Sequence, residues 1–298
     1  MKPGDLVVRH SYGGDVLFRI EAVRNASAIL RGADYRLLAD APMKDLSIVT
    51  HPELTDASKQ VRIKEAQTTD RIQQQQLHQQ MSWIDRQSQP GQPSYFEVPG
   101  VVLHLDGDAN YMKKSMQLYS TMRVPAHGIY VHESRMAEMV HRLLPQVKPD
   151  IIVITGHDGV LKHRNPQSGY YSLGGYKNSQ NFVNAVQVAR DYEKSMDGLI
   201  VIAGACQSHY EALLHAGANF ASSPGRILIH ALDPVYVAIK ASYTPFKDTI
   251  NLPEVISGTI SGMDGVGGIE TRGRYRLGLP RPKAQSQPAA MPYSSMQS

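Results

Sequence analysis

The sequence predicts an α/β protein: a mostly parallel sheet flanked by helices, preceded by a small N-terminal β-barrel domain. Three observations carry this expectation. From about residue 98 onward, short apolar runs alternate with segments of helical periodicity. Residues 1–50 instead hold several short β-patterned runs split by turn residues such as Gly13-Gly14 and Asn25. Between the two lies a polar stretch containing Gln73-Gln74-Gln75-Gln76, whose apolar face is thin.

Composition sets the limits. A chain of 298 residues allows one or two domains with ordinary cores. The hydrophobic and charged fractions, 42% and 19%, are those of a soluble globular protein. A net charge of +4 without a long basic run argues against a nucleic-acid partner. A single cysteine excludes an intrachain disulfide framework and a Cys-rich zinc module. The start, Met1-Lys2-Pro3-Gly4-Asp5, lacks the apolar core of a signal peptide, and no apolar run reaches membrane-spanning length. The expectation is a soluble cytosolic protein with no membrane span.

Taken in order, residues 1–50 predict strands at 5–9, 16–23 and 28–31, with shorter ones at 37–38 and 46–49, which suggests an SH3-like barrel that docks or tethers. Residues 51–95 read as a linker, with a helix over 70–81 carried by Ile72, Leu77, Met81 and Ile84. The domain expected over 96–279 has strands at 101–105, 124–131, 150–154, 198–203 and 226–230. Its helices fall at 109–122, 133–144, 178–192, 207–216 and 235–241. The glycine-rich stretch 258–268 reads as a flexible loop. Residues 280–298, rich in Pro, Ser and Gln, read as a disordered tail.

Two strand ends carry the chemistry. The apolar run at 198–203 ends in Gly204-Ala205-Cys206-Gln207-Ser208, and small residues there let backbone approach closely. Open α/β sheets place their sites at such carboxyl ends. A free cysteine is also a common buried, inert residue, so position alone leaves both readings open. The run at 150–154 ends in Thr155-Gly156-His157-Asp158-Gly159, and His157 lies 49 residues before Cys206. If these strands are neighbours, about 4.8 Å apart, imidazole and thiol emerge on one rim. An imidazole there promotes the thiolate and can donate a proton to a leaving amine.

These residues resemble the caspase-like cysteine peptidases (gingipains, clostripain, legumain, separase), whose histidine and cysteine each follow a hydrophobic strand as His-Gly and Ala-Cys. In caspases the histidine lies about 50 residues upstream of the cysteine. Ala205-Cys206 fits the pattern, whereas Asp158 separates His157 from Gly159. That departure leaves open whether the Asp158 or the Gly159 N–H joins that of Cys206 in an oxyanion hole. The wider pattern resembles the YabG family of sporulation-specific proteases. It comprises Gly4-Asp5-Leu6-Val7-Val8-Arg9, Val102-Leu103-His104-Leu105-Asp106-Gly107-Asp108, the two strand ends above and Ser179-Gln180-Asn181-Phe182.

The resemblance implies a caspase-like fold and a mother-cell cytoplasmic enzyme, associated with the forming coat, that processes spore-coat and related spore proteins. It implies cleavage after arginine with Cys206 and His157 as the catalytic pair and no cofactor or metal. It also implies self-cleavage, for which Arg62, Arg71 and Arg86 in the linker are natural sites. Cleavage after a cation needs an acidic pocket, because an unpaired buried guanidinium is costly. Asp106, Asp108 and Asp233 are the candidates at strand ends; Asp158 stands either with them or as a group that orients His157.

Weaker signals surround these. His163, His209 and His230 have no zinc-ligand spacing. Ser222-Ser223-Pro224-Gly225 and the glycine-rich 261–268 lack the lysine or the following helix of a phosphate loop. The rival readings are a non-peptidase α/β enzyme and an inert spore-structure scaffold.

Overall fold

The computed structural model describes residues 1–50, 56–87, 95–161 and 172–279. The N-terminal part is a five-stranded antiparallel sheet of β1 (Leu6–Arg9), β2 (Phe18–Arg24), β3 (Ser27–Gly32), β4 (Leu38–Pro42) and β5 (Leu46–Ile48), in the order β4-β3-β2-β1-β5. Alternate residues of its strands, among them Val7, Phe18, Ile20, Ala28 and Leu30, bury one face. The edge strands β4 and β5 are not paired with each other, so the expected barrel is an open sheet.

The stretch read as a linker is mostly one helix, α1 (Asp56–Gln87), followed by β6 (Phe96–Val98). Among the described side chains of α1, Val61, Thr68 and Ile72 are the buried ones. A helix that docks by so thin a seam carries little apolar periodicity for a sequence reading to detect.

The second part is built on a six-stranded sheet. Its strands are β7 (Val102–Asp106), β8 (Ala126–Tyr130), β9 (Ile151–Thr155), β10 (Ile200–Ala203), β11 (Phe220–Ser222) and β12 (Val266–Gly268), ordered β12-β11-β10-β9-β7-β8. All neighbours are parallel except β12, which runs antiparallel to β11. Strand residues alternate between the faces. Val102, Ile151, Val153, Ile200 and Ile202 meet α2 (Ala109–Thr121) and α6 (Asp233–Tyr243). Leu103, Leu105, Ile152, Ile154 and Val201 meet α3 (Met136–Val147), α4 (Ser179–Tyr192) and α5 (Tyr210–His215). Burial on both faces is why these strands read as unbroken apolar runs. The short helices α7 (Leu252–Ser257) and α8 (Gly262–Gly265) precede β12, and β13 (Arg276–Gly278) pairs with β6.

Three expectations change. The strand expected at 226–230 is absent. The fifth parallel strand is β11 instead, because Ser223 and Arg226 adopt left-handed backbone (φ 65° and 54°) around Pro224-Gly225 and turn the chain out of the ladder. The glycine-rich stretch is not a loose loop: it forms α8 and β12. A Cβ at Gly267 would lie 2.4 Å from the Tyr210 hydroxyl, so only glycine fits beneath that ring. The helix expected from 207 starts at Tyr210, since Gln207 has φ 55°. The tail 280–298 and His163 lie outside the described residues.

Candidate active site

Strands β9 and β10 are adjacent and parallel, with Ala203 opposite Ile154. Cys206 and His157 each stand three residues beyond that pair, so they leave equivalent points of one rim. Gly204 makes the exit from β10 possible. Its φ is +112°, and a Cβ there would come within 2.9 Å of Leu213 and 3.1 Å of Ser222.

Cys206 is 1% exposed. Its Sγ accepts from the Ile229 N–H at 3.1 Å. Burial pushes the thiol up to about 12, against the lowering effects of the Ile229 backbone and of the Arg36 charge and backbone. In this state the sulfur is a thiol, not a thiolate.

His157 is held from two sides. Its backbone N–H donates to Glu133 Oε1 at 2.8 Å, and its Nε2 lies 2.9 Å from Asp108 Oδ2. The Nδ1 atom is buried with no partner among the described residues. With Asp108 ionised, Nε2 is the protonated nitrogen and Nδ1 the free base. Burial alone would raise the Asp108 carboxyl; the His157 hydrogen bond and the Arg31 guanidinium outweigh it and hold the group below its ordinary range. Asp108 also caps α2, accepting from the Asn110 and Tyr111 N–H groups at 2.8 and 3.1 Å.

Asp158 does not orient His157. Its carboxylate accepts from the Asn178 N–H at 2.7 Å, the Ser208 hydroxyl at 3.0 Å and the Ser179 hydroxyl, which ties the His157 loop to the Cys206 loop and to α4. Burial raises its carboxyl despite these bonds. The Gly159 N–H is taken by Asp158 Oδ1 at 2.9 Å. Of the two alternatives for the oxyanion donor beside Cys206, Gly159 is therefore engaged in this state.

None of the three expected pocket carboxylates is vacant. Asp106, fully buried, accepts from the Asp108 N–H at 2.9 Å and the Thr155 hydroxyl at 3.0 Å, and its Oδ2 lies 2.8 Å from Arg36 Nη1. Beneath it, His104 Nε2 meets Thr155 Oγ1 at 2.8 Å. Burial holds that imidazole neutral, down to about 3. Asp108 serves His157 and Arg31. Asp233 accepts from the Ile260 N–H at 2.7 Å and the His230 and Ser261 N–H groups at 3.2 Å, clamping 230 to 260–261. His209 caps α5, accepting from the Ala212 N–H at 3.4 Å, and His230 pairs with Glu65 on α1.

Sequence reasoning missed Glu133 and the two arginines. Glu133 sits in a helix-starting turn, and its proximity to His157 arises only from the crossover through α3. Arg31 and Arg36 come from the N-terminal sheet, and no local pattern links them to residues 106–108. The assignment of Asp108 to the histidine was within reach, because a strand-end Asp beside a strand-end His is a natural orienting pair.

The structure thus places an aspartate-held histidine and a buried cysteine beyond the carboxyl ends of two adjacent parallel strands. The family model described as YabG peptidase U57 matches residues 2–280, which makes the class a peptidase. The chain is also 44% identical over 284 residues to the sporulation-specific protease YabG of Bacillus subtilis (strain 168), covering 93% of this chain and 97% of that one. The chain belongs to the YabG peptidase family, a family of sporulation proteases. No solved structure matches.

Proposed function

We propose that the protein is a cysteine endopeptidase that cuts after arginine, with Cys206 as nucleophile and His157 as general acid and base. The observation that supports this most directly is the β9–β10 pairing: the strands are adjacent and parallel, and His157 and Cys206 each follow three residues after the Ile154–Ala203 pair.

In the proposed reaction the Cys206 proton passes to His157 Nδ1, the free nitrogen. The thiolate attacks the scissile carbonyl and forms the S–C bond of a tetrahedral intermediate. Its oxyanion is received by the Cys206 N–H together with that of Asp158, or of Gly159 once the Asp158 side chain releases it. His157 then gives its proton to the departing amine as the C–N bond breaks. In deacylation it takes a proton from water, whose oxygen displaces the sulfur. Asp108 holds the imidazole in the tautomer this requires and stabilises the imidazolium between steps.

The substrates we infer are spore-coat and related spore proteins, processed in the cytoplasm of the mother cell, with the chain itself as a further substrate. The linker arginines Arg62 and Arg71 lie within α1, so cutting there first requires that helix to open. Arg86 belongs to the same helix.

Purified protein incubated with an arginine-containing peptide tests the reading. Cys206→Ala and His157→Ala should each abolish cleavage while the far-ultraviolet spectrum stays native. Full cleavage by Cys206→Ala would overturn it.

A further inference from the structure

Arg36 is among the largest fully buried side chains. Its position is unexpected for a residue in the β3–β4 connection, because charged side chains go to zero exposure only when paired. The connection leaves its own sheet and makes one isolated antiparallel bridge, Tyr35 with His230, to the second part. The Arg36 N–H donates to Ile229 O at 3.2 Å, the Ala231 N–H donates to Asp34 O at 2.8 Å, and Tyr35 bridges His230. Ile229 is the residue whose N–H donates to Cys206 Sγ.

The Arg36 side chain then enters a pocket at the carboxyl end of β7. Its Nη1 pairs with Asp106 Oδ2 at 2.8 Å, its Nη2 donates to Ala231 O at 2.8 Å, and its guanidinium carbon lies 5.3 Å from the centre of the Tyr111 ring. The Tyr111 hydroxyl lies 2.7 Å from Gly32 O and 2.6 Å from Tyr35 O, sharing its one proton between the two carbonyls of the same connection. Extended main-chain pairing plus one side-chain pocket is how a sheet or strand segment receives a peptide. Here it receives an arginyl one, beside the cysteine.

We propose that residues 34–37 occupy the substrate's place in this site as an internal competitor. Arg36 then fills the pocket that reads the residue before the scissile bond, and Asp106 is the acid of that pocket. The proposal rests on the peptidase reading above for what the pocket is for, but not for what it binds. It makes the full chain latent: a substrate arginine enters only in molecules whose β3–β4 connection has withdrawn, so apparent affinity is the intrinsic affinity multiplied by the fraction withdrawn.

Two measurements test it, one independent of catalysis. In the first, agmatine, a small guanidinium compound, is added to Cys206→Ala and to Cys206→Ala/Arg36→Ala, and Tm is followed. The double variant should gain several degrees at millimolar agmatine while the single variant does not respond. Asp106→Asn in the double background should remove the gain. In the second, kcat/KM on a short arginyl anilide should rise at least about tenfold in Arg36→Ala over the wild type. If Arg36→Ala does not fold, Arg36→Gln, which keeps a donor for Ala231 O, replaces it in both arms. A folded Arg36 variant that ignores agmatine overturns the pocket, and an active one with unchanged or lower kcat/KM overturns the competition. Agmatine binding with no cleavage by any variant supports the pocket and defeats the peptidase reading instead.

Discussion

Burial pushes the Cys206 thiol and the Asp108 carboxyl in the same direction, upward, and their partners decide the outcome. For the thiol burial outweighs the lowering by Ile229 and Arg36 and takes it up to about 12, whereas the Asp108 carboxyl is held low by the His157 hydrogen bond and the Arg31 guanidinium despite burial. Because the folded thiol titrates above an unfolded one, its stabilising contribution is complete below the ordinary thiol range and is lost as pH rises toward about 12. Wild type should therefore lose Tm between about pH 8.5 and 12 more steeply than Cys206→Ser, as thermal melts across that range will show. The same thiol should react with iodoacetamide at pH 7.5 at least about 100-fold more slowly in the folded chain than in urea, read by mass spectrometry. For Asp108 the sign reverses: its contribution is present above the ordinary carboxylate range and is lost as pH falls through and below it. Asp108→Asn should leave the fold in place but cut kcat by about 100-fold or more, since the amide neither fixes the Nδ1-free tautomer nor stabilises the imidazolium. An unchanged kcat would remove Asp108 from the machinery.

Among the elements, the β10 exit depends on one backbone conformation. Gly204→Ala adds a Cβ at a positive φ and against Leu213 and Ser222, so it should cost about 2 kcal/mol in urea unfolding and displace Cys206. Helix α4 and the β10–β11 connection are joined by Arg190, whose guanidinium donates to Gly217 O at 2.6 Å, Leu199 O at 2.9 Å and Asn219 Oδ1. Arg190→Met should destabilise by about 3 kcal/mol, because the carbonyls of Gly217 and Leu199 and the Asn219 side chain lose the one guanidinium that joins them. Element type was legible wherever burial was two-sided or the helical face broad: β7 to β10 and α2, α3, α4 and α6 lie near their expected places. The misses share a cause. The barrel depended on a closure of β4 on β5 that is not made, and the 226–230 strand on extended backbone that the left-handed Ser223 and Arg226 interrupt; neither shows in apolar periodicity.

At the scale of the molecule, the two sheets are joined through the site. Arg31 lies on Asp108, Arg36 on Asp106, and α1 reaches the same region through Glu65 and His230. Removing both arginine partners from two buried carboxylates would leave uncompensated charge, so the parts should not unfold independently. Urea unfolding followed by near-ultraviolet and by far-ultraviolet circular dichroism should give one coincident transition; two separated midpoints would contradict that coupling.

By itself the sequence determined the alternating strand-helix order, the strand-end positions of His157 and Cys206 and, by resemblance, the peptidase family. Those depend on local periodicity and on residues whose spacing follows from single strands. The tertiary structure alone decided that β9 and β10 are neighbours, that Asp108 rather than Asp158 holds the histidine, and that the acid at 106 is already paired with an arginine 70 positions earlier. Each of these is a charge or hydrogen-bond pairing across the fold, set by which chain segments the sheet order brings together, and no local pattern encodes it.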